Sequence, residues 1–260
     1  MAGLQYDEAA ARQLEAIYLG PDIVAQRART MALLGLKPGE SVLDIGSGPG
    51  FLCSDMAAAV GSEGKVRGID VSPVMVARAA ARNPEAWVSF AVGDATHLDE
   101  ADAAYDAVVS IQVAEYVPDI DGFCREAFRV LKPGGRGLIM ATDWDAIAWH
   151  SADPARMQRV LAAFAPHCAD SALPRTLSRH LHAAGFMLDD VIAYPILNHG
   201  WKDDSYSCRT MPFIAAYVRR QKTLPEAELA AWEAEQRALG ASGDYYFLTC
   251  RMFFAVRKPG

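Results

Sequence analysis

Short apolar stretches alternate through the middle of the chain with segments in which apolar residues recur at helical spacing. The stretches with the length and flanks of buried parallel strands are residues 41–45, 65–70, 87–92, 105–112 and 136–142. Helical spacing between them covers residues 51–60, a segment beginning at Pro73, and residues 120–131. Repeated strand-then-helix units are typical of a parallel sheet with crossover helices, so the pattern predicts an α/β fold.

Helical patterns also flank this alternating region on both sides. Before it, we predict helices at residues 7–18 and from Pro21 to about Leu34, with Gly35 ending the second. After it, the pattern predicts helices at 154–164 and 177–184, a sixth strand at 186–193, a loop at 198–204, a helical pair at 205–221 and 225–239, and a seventh strand at 245–256. The chain therefore divides into regions 1–35, 36–145 and 146–260.

The first predicted strand ends in a glycine-rich turn, G-S-G-P-G at residues 46–50. Glycines let such a turn adopt unusual dihedral angles and let its backbone approach a ligand. The dinucleotide fingerprint G-x-G-x-x-G requires its third glycine at Phe51, and here that glycine comes one residue early. Pro49 also lacks the backbone N–H that would bind a pyrophosphate at a helix N-terminus. The turn therefore favours a ligand without phosphates over NAD.

Asp70 stands at the end of the second predicted strand, about 20 residues after the glycine turn. A carboxylate at this position accepts hydrogen bonds from the ribose hydroxyls of a nucleotide. We therefore expect a ligand that contains an adenosine, with Asp70 on its ribose.

Five motifs spread over residues 36–143 resemble those of the class I S-adenosylmethionine-dependent methyltransferases. They are V-L-D-I-G-S-G-P-G from residue 42, G-I-D-V-S-P-V-M from 68, G-D-A-T from 93, Y-D-A-V-V-S-I-Q from 105 and L-K-P-G-G from 131. The resemblance implies a Rossmann-like, seven-stranded, mostly parallel sheet with an antiparallel last strand, an N-terminal helical lid and a helical insertion. It also implies S-adenosyl-L-methionine as the cofactor and S-adenosyl-L-homocysteine as its product.

The same resemblance implies which residues contact the cofactor. They are Tyr18, Asp44, Gly46, Gly48, Gly50, Asp70, Val71, Met75, Gly93, Asp94, Ala95 and Gln112. Asp94 is expected to accept the exocyclic amine of the adenine, while Met75 either packs against the adenine or faces the sheet. Asp44 either holds the loop by accepting backbone N–H groups or reaches the methionine ammonium through water.

The resemblance makes residues 1–35 a lid, residues 36–145 the core that binds S-adenosylmethionine, and residues 146–260 the substrate side. Tyr6, Tyr18 and Arg27 are candidates to line the cofactor from the lid. The alternative for the two tyrosines is that they only pack the lid against the core.

Candidates for the acceptor side begin with D-W-D at residues 143–145, where the fifth predicted strand ends. Ligands of open parallel sheets bind outside the carboxyl ends of the strands, which favours Asp143. The alternative is that Asp145 caps a loop and Trp144 fills the lid interface. An acceptor phenol, acid or protonated amine needs a group that takes its proton. The groups available for that step are Asp143, His150, His167 and His199. We predict as catalytic residues Asp143, His150 and Arg175.

Other polar and aromatic residues of the C-terminal region have two interpretations each. Arg175 and Arg209 either pair with an anionic substrate or serve surface and capping roles. The aromatic residues either form a pocket for a ring or a cation or pack in the core. These aromatic residues are Trp144, Trp201, Tyr206, Tyr245 and Tyr246.

Composition and missing motifs oppose several function classes. The net charge of −7 disfavours a broad nucleic-acid surface, and residues 110–113 lack the Asp or Asn, two prolines and aromatic residue of methyltransferases that modify bases or protein amides. Neither HExxH nor another metal-ligand spacing occurs, so we expect no metal. The five cysteines form no C-x-x-C pair, and residues 1–8 do not resemble a signal peptide. No apolar run approaches the length of a membrane span. These features predict a cytoplasmic protein.

Within the superfamily, the chain resembles most the quinone-biosynthesis C-methyltransferases and the arsenite methyltransferases. G-D-Y-Y-F-L-T from residue 243 is similar to the last strand of the arsenite enzymes, and Cys168 falls about where they carry a metalloid-binding thiol. Their partner position holds Tyr245 here. Because arsenic(III) prefers two or three thiolates, arsenite ranks below a small organic acceptor, although Cys208 or Cys250 is a possible substitute.

We therefore expect a methyltransferase that uses S-adenosylmethionine and transfers the methyl group to a small molecule by in-line displacement. We expect a monomer or homodimer with no nucleic-acid and no membrane partner. The alternatives are an arsenite-type methyltransferase, a non-catalytic module that binds S-adenosylmethionine, an NAD-dependent oxidoreductase and a macromolecular methyltransferase.

Overall fold

A computed structural model describes residues 8–260, except the side chains of Ala9 and Ala10, so the lid candidate Tyr6 lies outside the described residues. The strands of this part of the chain are β1 Ser41–Ile45, β2 Lys65–Asp70, β3 Val88–Val92, β4 Tyr105–Ile111, β5 Leu131–Trp149, β6 Met187–His199 and β7 Tyr246–Arg257. They form one sheet in the order β3-β2-β1-β4-β5-β7-β6. The neighbours from β3 to β5 are parallel, while β7 is antiparallel to both β5 and β6. The predicted fold is confirmed.

The helices that cover the described residues are α1 Glu8–Tyr18, α2 Pro21–Leu34, α3 Phe51–Val60, α4 Pro73–Arg82, α5 Ile120–Val130, α6 Pro154–Phe164, α7 Leu177–Ala183, α8 Tyr206–Gln221 and α9 Glu226–Ser242. Capping residues determine where several of these helices begin or end. The Ser72 hydroxyl accepts a hydrogen bond from the Met75 amide at the start of α4, and Gly35 adopts a left-handed conformation after α2. None of these helices is both long and apolar enough to cross a membrane.

The buried apolar side chains of the described residues form a cluster on each face of the sheet and a further cluster among the C-terminal helices. Helices α2 and α3 cover one face over β1, β4 and β5, and α5 and α7 cover the other face. Helices α6, α8 and α9 enclose a separate cluster around Trp149, Trp232 and Phe247. The carboxyl ends of β1, β2 and β4 lie between these layers, at the edge where open parallel sheets bind ligands.

Two strands are longer than their sequence pattern predicts. β5 begins at Leu131 and continues to Trp149, so D-W-D lies inside the strand, next to a register shift between Asp143 and Ala148. β6 continues to His199, so the predicted loop at 198–204 begins two residues too early. The cause is β7, whose backbone pairs with both strands over most of its length and satisfies their N–H and C=O groups. Local sequence does not contain that information.

Ion pairs and hydrogen bonds fasten α1 and α2 across the open edge of the sheet. Glu15 accepts from Arg78 at 2.9 Å and from Arg82 at 2.9 Å, which ties α1 to α4. The Asp22 carboxylate accepts from the Asn198 side chain at 2.9 Å and from the Tyr206 amide at 2.7 Å, which ties α2 to β6 and α8. The N-terminal helices therefore cover the carboxyl ends of the central strands.

Candidate functional site

The glycine turn between β1 and α3 forms the floor of the site. Gly46 has φ +80°, and a Cβ atom there would lie 2.1 Å from Cγ2 of Val113, so only glycine fits. Gly48 has φ +52° and an open face, with the Tyr18 ring 3.7 Å from the place of a Cβ atom. The amides of Gly46 and Ser47 donate to the Ile69 carbonyl at 2.7 and 3.0 Å. These bonds therefore fix one side of the turn to the end of β2, and the backbone on its other side faces the site.

Asp70 braces this turn from the end of β2. Its Oδ2 accepts from the Gly48 amide at 2.9 Å and its Oδ1 from the Ser72 amide at 2.8 Å. Burial raises the pKa of Asp70. Each carboxylate oxygen has two lone pairs, so both oxygens keep acceptor capacity toward a ribose.

Asp44 is buried beside the turn, and its partner is a thiol rather than the loop backbone. Its Oδ2 accepts from Sγ of Cys53 at 3.3 Å, and burial raises the pKa of Asp44 to about 7. The Ile69 carbonyl takes the Gly46 and Ser47 amides and Asp70 takes the Gly48 amide, so these loop amides have partners other than Asp44. Asp44 also lines the pocket above the turn, so its predicted contact with the cofactor stays a prediction.

The ends of β2 and β3 expose apolar surface next to carboxylates. Val71 is 76% exposed and Val92 is 53% exposed, at adjacent strand ends. Asp94 accepts from the amide and the hydroxyl of Thr96, both at 2.8 Å, and these bonds lower its pKa. Met75 is only 1% exposed and packs inside. Exposed valines beside an ionised carboxylate fit a flat heterocycle with an exocyclic amine.

A pocket of about 500 Å³, including its open mouth, lies between α2 and the glycine turn. We call it the loop pocket, and its lining residues are Tyr18, Ile23, Gln26, Arg27, Thr30, Asp44, Gly46, Ser47, Pro49, Phe51, Leu52, Ile111 and Gln112. The Ser47 hydroxyl in its floor is buried and has no hydrogen-bond partner among residues 8–260. Gln112 has φ +57°, and its Nε2 donates to Thr142 Oγ1 at 2.9 Å.

Both described lid candidates line the loop pocket. The Tyr18 ring meets Phe51 edge-on at 6.2 Å, and Arg27 Nη1 donates to the Tyr18 carbonyl at 2.8 Å. Arg27 Nε also pairs with Asp55 at 3.2 Å. The guanidinium of Arg82 lies 3.7 Å from the Phe51 ring centroid on the α4 side. Tyr18 is therefore held at the rim of the pocket by the lid itself.

A second pocket of about 490 Å³, including its mouth, lies on the other side of Tyr18 and Gln112. We call it the aromatic pocket, and its lining residues are Leu14, Ile17, Tyr18, Gln112, Tyr116, Trp144, His167, Tyr206, Thr210 and Phe213. The Thr210 hydroxyl is buried and finds no partner within the described chain. Tyr18 and Gln112 line both pockets, so they form a shared wall.

His167 is a neutral imidazole in the wall of the aromatic pocket. Its Nδ1 lies 2.8 Å from the Phe164 carbonyl, which assigns the proton to Nδ1 and leaves Nε2 as an acceptor. The ring stacks on Phe164 at 3.7 Å and meets Trp144 edge-on at 4.7 Å. Burial lowers the pKa of His167 to about 4, so the ring is uncharged at pH 7. Nε2 lies 3.2 Å from Sγ of Cys168.

The three predicted catalytic residues do not meet at one place. Arg175 Nε and Nη2 donate to Oδ2 and Oδ1 of Asp143 at 2.8 and 2.9 Å, so these two residues pair with each other. Asp143 is buried, while the Arg175 side chain is 53% exposed. His150 is exposed and lines a separate open depression with Trp149 and Tyr246. Their catalytic roles stay predictions.

The remaining candidates are spread over several environments. Of the five aromatic candidates, Trp144 and Tyr206 line the aromatic pocket. Tyr245 is fully buried and donates to the Ser207 hydroxyl at 2.8 Å, and Trp201 packs on its ring. His199 is exposed at the end of β6. Arg209 donates to the Ala16 carbonyl, which is a structural bond between α8 and α1.

Sequence reasoning missed several residues that the structure brings to the two pockets. Gln26 lines the loop pocket, and Thr210 and Phe213 line the aromatic pocket. Glu115 was not missed, since its sequence position leaves pocket and solvent open; it is fully buried nearby, with Oε1 accepting from the Thr142 amide at 3.1 Å, and burial raises its pKa to about 7. Arg251 is also fully buried. A charged residue inside an otherwise apolar strand, as in 246–257, was the available signal for Arg251.

The thiols and other soft ligands do not converge in the described part of the chain. The five cysteines are free, and no group of three or more His, Cys, Asp or Glu side chains among residues 8–260 could hold a metal ion. Cys168 and Cys250 are partly buried, while Cys208 is buried.

Comparison with known proteins shows what the central region of the chain is similar to. A family profile described as "Methyltransferase domain" matches residues 43–139. An arsenite methyltransferase of Halobacterium salinarum is 37% identical over 123 residues, which are 46% of this chain and 32% of that protein. A 2-methyl-6-phytyl-1,4-hydroquinone methyltransferase of Synechocystis is 37% identical over 125 residues, 48% of this chain and 38% of that protein. The chain therefore spans less than half the length of either relative.

Solved structures agree at the level of the fold. The phosphoethanolamine N-methyltransferase 2 of Haemonchus contortus, in complex with S-adenosyl-L-methionine, superimposes with a TM-score of 0.62 at 20% identity, covering 98% of this chain and 58% of that chain. The family match runs from β1 into β5 and includes the glycine turn and the end of β4, which line the loop pocket opposite α2. Residues 43–139 thus match a methyltransferase domain, and the resemblance to the class I S-adenosylmethionine-dependent methyltransferases is confirmed.

Proposed function

We propose that this protein transfers the methyl group of S-adenosylmethionine to a small, largely apolar acceptor that binds in the aromatic pocket. One observation carries the proposal. The loop pocket and the aromatic pocket share Tyr18 and Gln112 as a wall, so ligands in the two pockets lie next to each other. Methyl transfer needs that adjacency, because the acceptor attacks the sulfonium methyl in line.

Residues of the loop pocket and of the neighbouring ends of β2 and β3 together suit the parts of the donor. Asp70 keeps acceptor capacity for the ribose hydroxyls, and Val71 with Asp94 suits the adenine. The open face of Gly48 and the unpartnered Ser47 hydroxyl suit the methionine part. The donor supplies an activated methyl group, so the protein contributes mainly orientation and exclusion of water.

The acceptor side favours a ring-shaped or otherwise flat apolar molecule. The walls are mostly aromatic, and ring edges and faces pack well against another ring. The polar groups in these walls include the Thr210 hydroxyl, which has no partner among the described residues, and His167, whose Nε2 lies 3.2 Å from Sγ of Cys168. Nε2 can take the proton of an acceptor hydroxyl while Nδ1 keeps its bond to the Phe164 carbonyl. The hydroquinone substrate class in the name of the Synechocystis relative is consistent with such an acceptor.

Arsenite is the second candidate, because a relative carries that name and Cys168 lies at Nε2 of His167. Burial raises the pKa of the Cys168 thiol, which disfavours the thiolate that arsenic(III) binds. The described residues also offer no cluster of thiols beside Cys168. We therefore rank arsenite second.

The test is transfer of a labelled methyl group from S-adenosylmethionine to a panel of hydroquinones, phenols, amines, carboxylates and arsenite. We expect label on a hydroquinone or phenol, and Thr210→Val should reduce transfer while binding of S-adenosylhomocysteine is unchanged. Label on arsenite that is lost in Cys168→Ser would support the second candidate. Tight binding of S-adenosylhomocysteine with no acceptor labelled, even from metabolite extracts, would indicate a non-catalytic binding module.

A further inference from the structure

Arg251 is a fully buried cation whose hydrogen-bonding capacity is mostly unused. It lies on β7, opposite Thr142 of β5 and Tyr194 of β6. Its Nη1 donates to the side-chain oxygen of Gln26, and its guanidinium carbon lies 4.6 Å from the Tyr206 ring centroid. Within residues 8–260, its Nε and Nη2 atoms have no hydrogen-bond partner.

Buried polar groups are nearly always paired, and a buried guanidinium without an anion is costly. Glu115 is the acidic group that Arg251 influences, since the Arg251 charge lowers the Glu115 pKa against the larger effect of burial. No ion pair joins these two groups in the described chain: Glu115 Oε1 accepts from the Thr142 amide, and Oε2 has no hydrogen-bond partner there. The described chain therefore gives Arg251 a neutral acceptor and an aromatic ring but no anionic partner.

The unused edge has a defined geometry. Nε and Nη2 form one side of the guanidinium plane, and a carboxylate binds this side with two parallel hydrogen bonds. The same protein shows that arrangement at Arg175, whose Nε and Nη2 hold the two oxygens of Asp143 at 2.8 and 2.9 Å. In Arg251 the equivalent edge has no acceptor from the residues that the structure describes.

The neighbours of Arg251 belong to the two pockets. Gln26 lines the loop pocket, Tyr206 lines the aromatic pocket, and Tyr18 lines both. Burial and Asp70 raise the pKa of Tyr18, whereas the Arg251 charge lowers it, so the guanidinium acts on the shared wall itself. Gln26 and Tyr206 each contact the guanidinium and line a pocket, and both side chains can rotate.

We propose that Arg251 binds a carboxylate of a ligand at the junction of the loop pocket and the aromatic pocket. The inference rests on the proposed function, since it needs ligands in these pockets. Two sources have this chemistry, the methionine part of the donor and a carboxylate on the acceptor. Both would use the Nε and Nη2 edge in the way that Asp143 uses Arg175.

Calorimetric titrations of Arg251→Gln distinguish the sources. S-Adenosylhomocysteine carries the methionine carboxylate and 5′-methylthioadenosine lacks it, so a donor contact predicts at least about tenfold weaker binding of the first with the second unchanged. An acceptor contact predicts that both bind as in the wild type, while the complex with S-adenosylhomocysteine loses affinity for 4-hydroxybenzoate but not for 4-hydroxybenzamide. Arg251→Lys keeps the charge without the two-nitrogen edge, and it should recover only part of the loss.

The control is Arg219→Gln, which removes an exposed guanidinium that pairs with Glu226. Thermal unfolding of each variant shows whether it is folded at the titration temperature. The inference would be overturned if Arg251→Gln weakened the binding of all ligands equally. It would also be overturned if the variant selectively weakened the binding of neither S-adenosylhomocysteine nor 4-hydroxybenzoate. A wild-type protein that binds neither S-adenosylhomocysteine nor 5′-methylthioadenosine would instead refute the proposed function, and the inference with it.

Discussion

Asp70→Asn tests the donor site most directly. In the structure each Asp70 oxygen accepts a backbone amide, from Gly48 at 2.9 Å and from Ser72 at 2.8 Å. Asparagine keeps one acceptor oxygen and turns the other position into a donor. The asparagine side chain therefore places an N–H group opposite one of the two backbone amides. It also removes the negative charge to which the ribose hydroxyls would donate.

The expected loss follows from hydrogen bonds to a charged group, which contribute about 1.5–3 kcal/mol each. Losing one such bond to the ribose corresponds to about 10- to 150-fold weaker binding of S-adenosylhomocysteine. The unsatisfied amide of the turn should also lower the free energy of unfolding by about 1–3 kcal/mol. Titration calorimetry measures the first effect and urea denaturation the second.

Two controls separate the ribose contact from loss of the turn. Asp102→Asn removes a carboxylate that is 78% exposed and pairs with Arg129, so it should leave S-adenosylhomocysteine binding unchanged. Adenosine and 2′,3′-dideoxyadenosine as competitors report the ribose hydroxyls, and Asp70→Asn should weaken the first and spare the second. If Asp70→Asn binds S-adenosylhomocysteine as tightly as the wild type, the assignment of Asp70 to the ribose is wrong.

Three further predictions concern the turn, the aromatic pocket and the buried carboxyl group. Gly46→Ala should lower the free energy of unfolding by about 2 kcal/mol or more, because its Cβ atom would overlap Val113. Gly39→Ala, at a position with a similar φ and open space, should lower it by only about 1 kcal/mol, as measured by urea denaturation. His167→Phe should slow transfer to a hydroxyl acceptor by about 10²- to 10⁴-fold with S-adenosylhomocysteine binding unchanged, whereas His182→Phe, at an exposed position of α7, should not slow it. An unchanged rate in His167→Phe would exclude Nε2 as the proton acceptor. Because folding raises the pKa of Glu115 from 4.5 to about 7, its contribution to stability is present below the unfolded pKa and is lost as the pH rises to about 7, by about 3 kcal/mol. Glu115→Gln should flatten the urea-derived stability between pH 5 and 7.5, and an unaltered slope would contradict the burial argument.

Local sequence determined the central elements and their order. Helix α3 and strand β2 occupy the predicted residues 51–60 and 65–70, because each apolar stretch is bounded by glycine, charge or a helix cap. The glycine turn and Asp70 were recognisable for the same reason, since their chemistry depends on a short segment and its spacing. The match of the family profile to residues 43–139 covers this part of the chain.

Only the tertiary structure decided the acceptor side. The wall of the aromatic pocket combines Leu14 and Tyr18 with Trp144, His167 and Phe213, which are far apart in sequence. No local pattern shows that His167 meets this pocket while His150 lies in another depression. The physical reason is that helix packing and strand pairing set these distances.

The same distinction holds for the charged residues. Asp143 was visible at the end of a predicted strand, but its pairing with Arg175 depends on how residues 173–175 pack on β5. Arg251 lies between β5 and β6, beneath Gln26 of α2 and Tyr206 of α8. A sequence shows which groups can ionise, whereas burial and partners, which decide what those groups do, come only from the folded arrangement of distant segments.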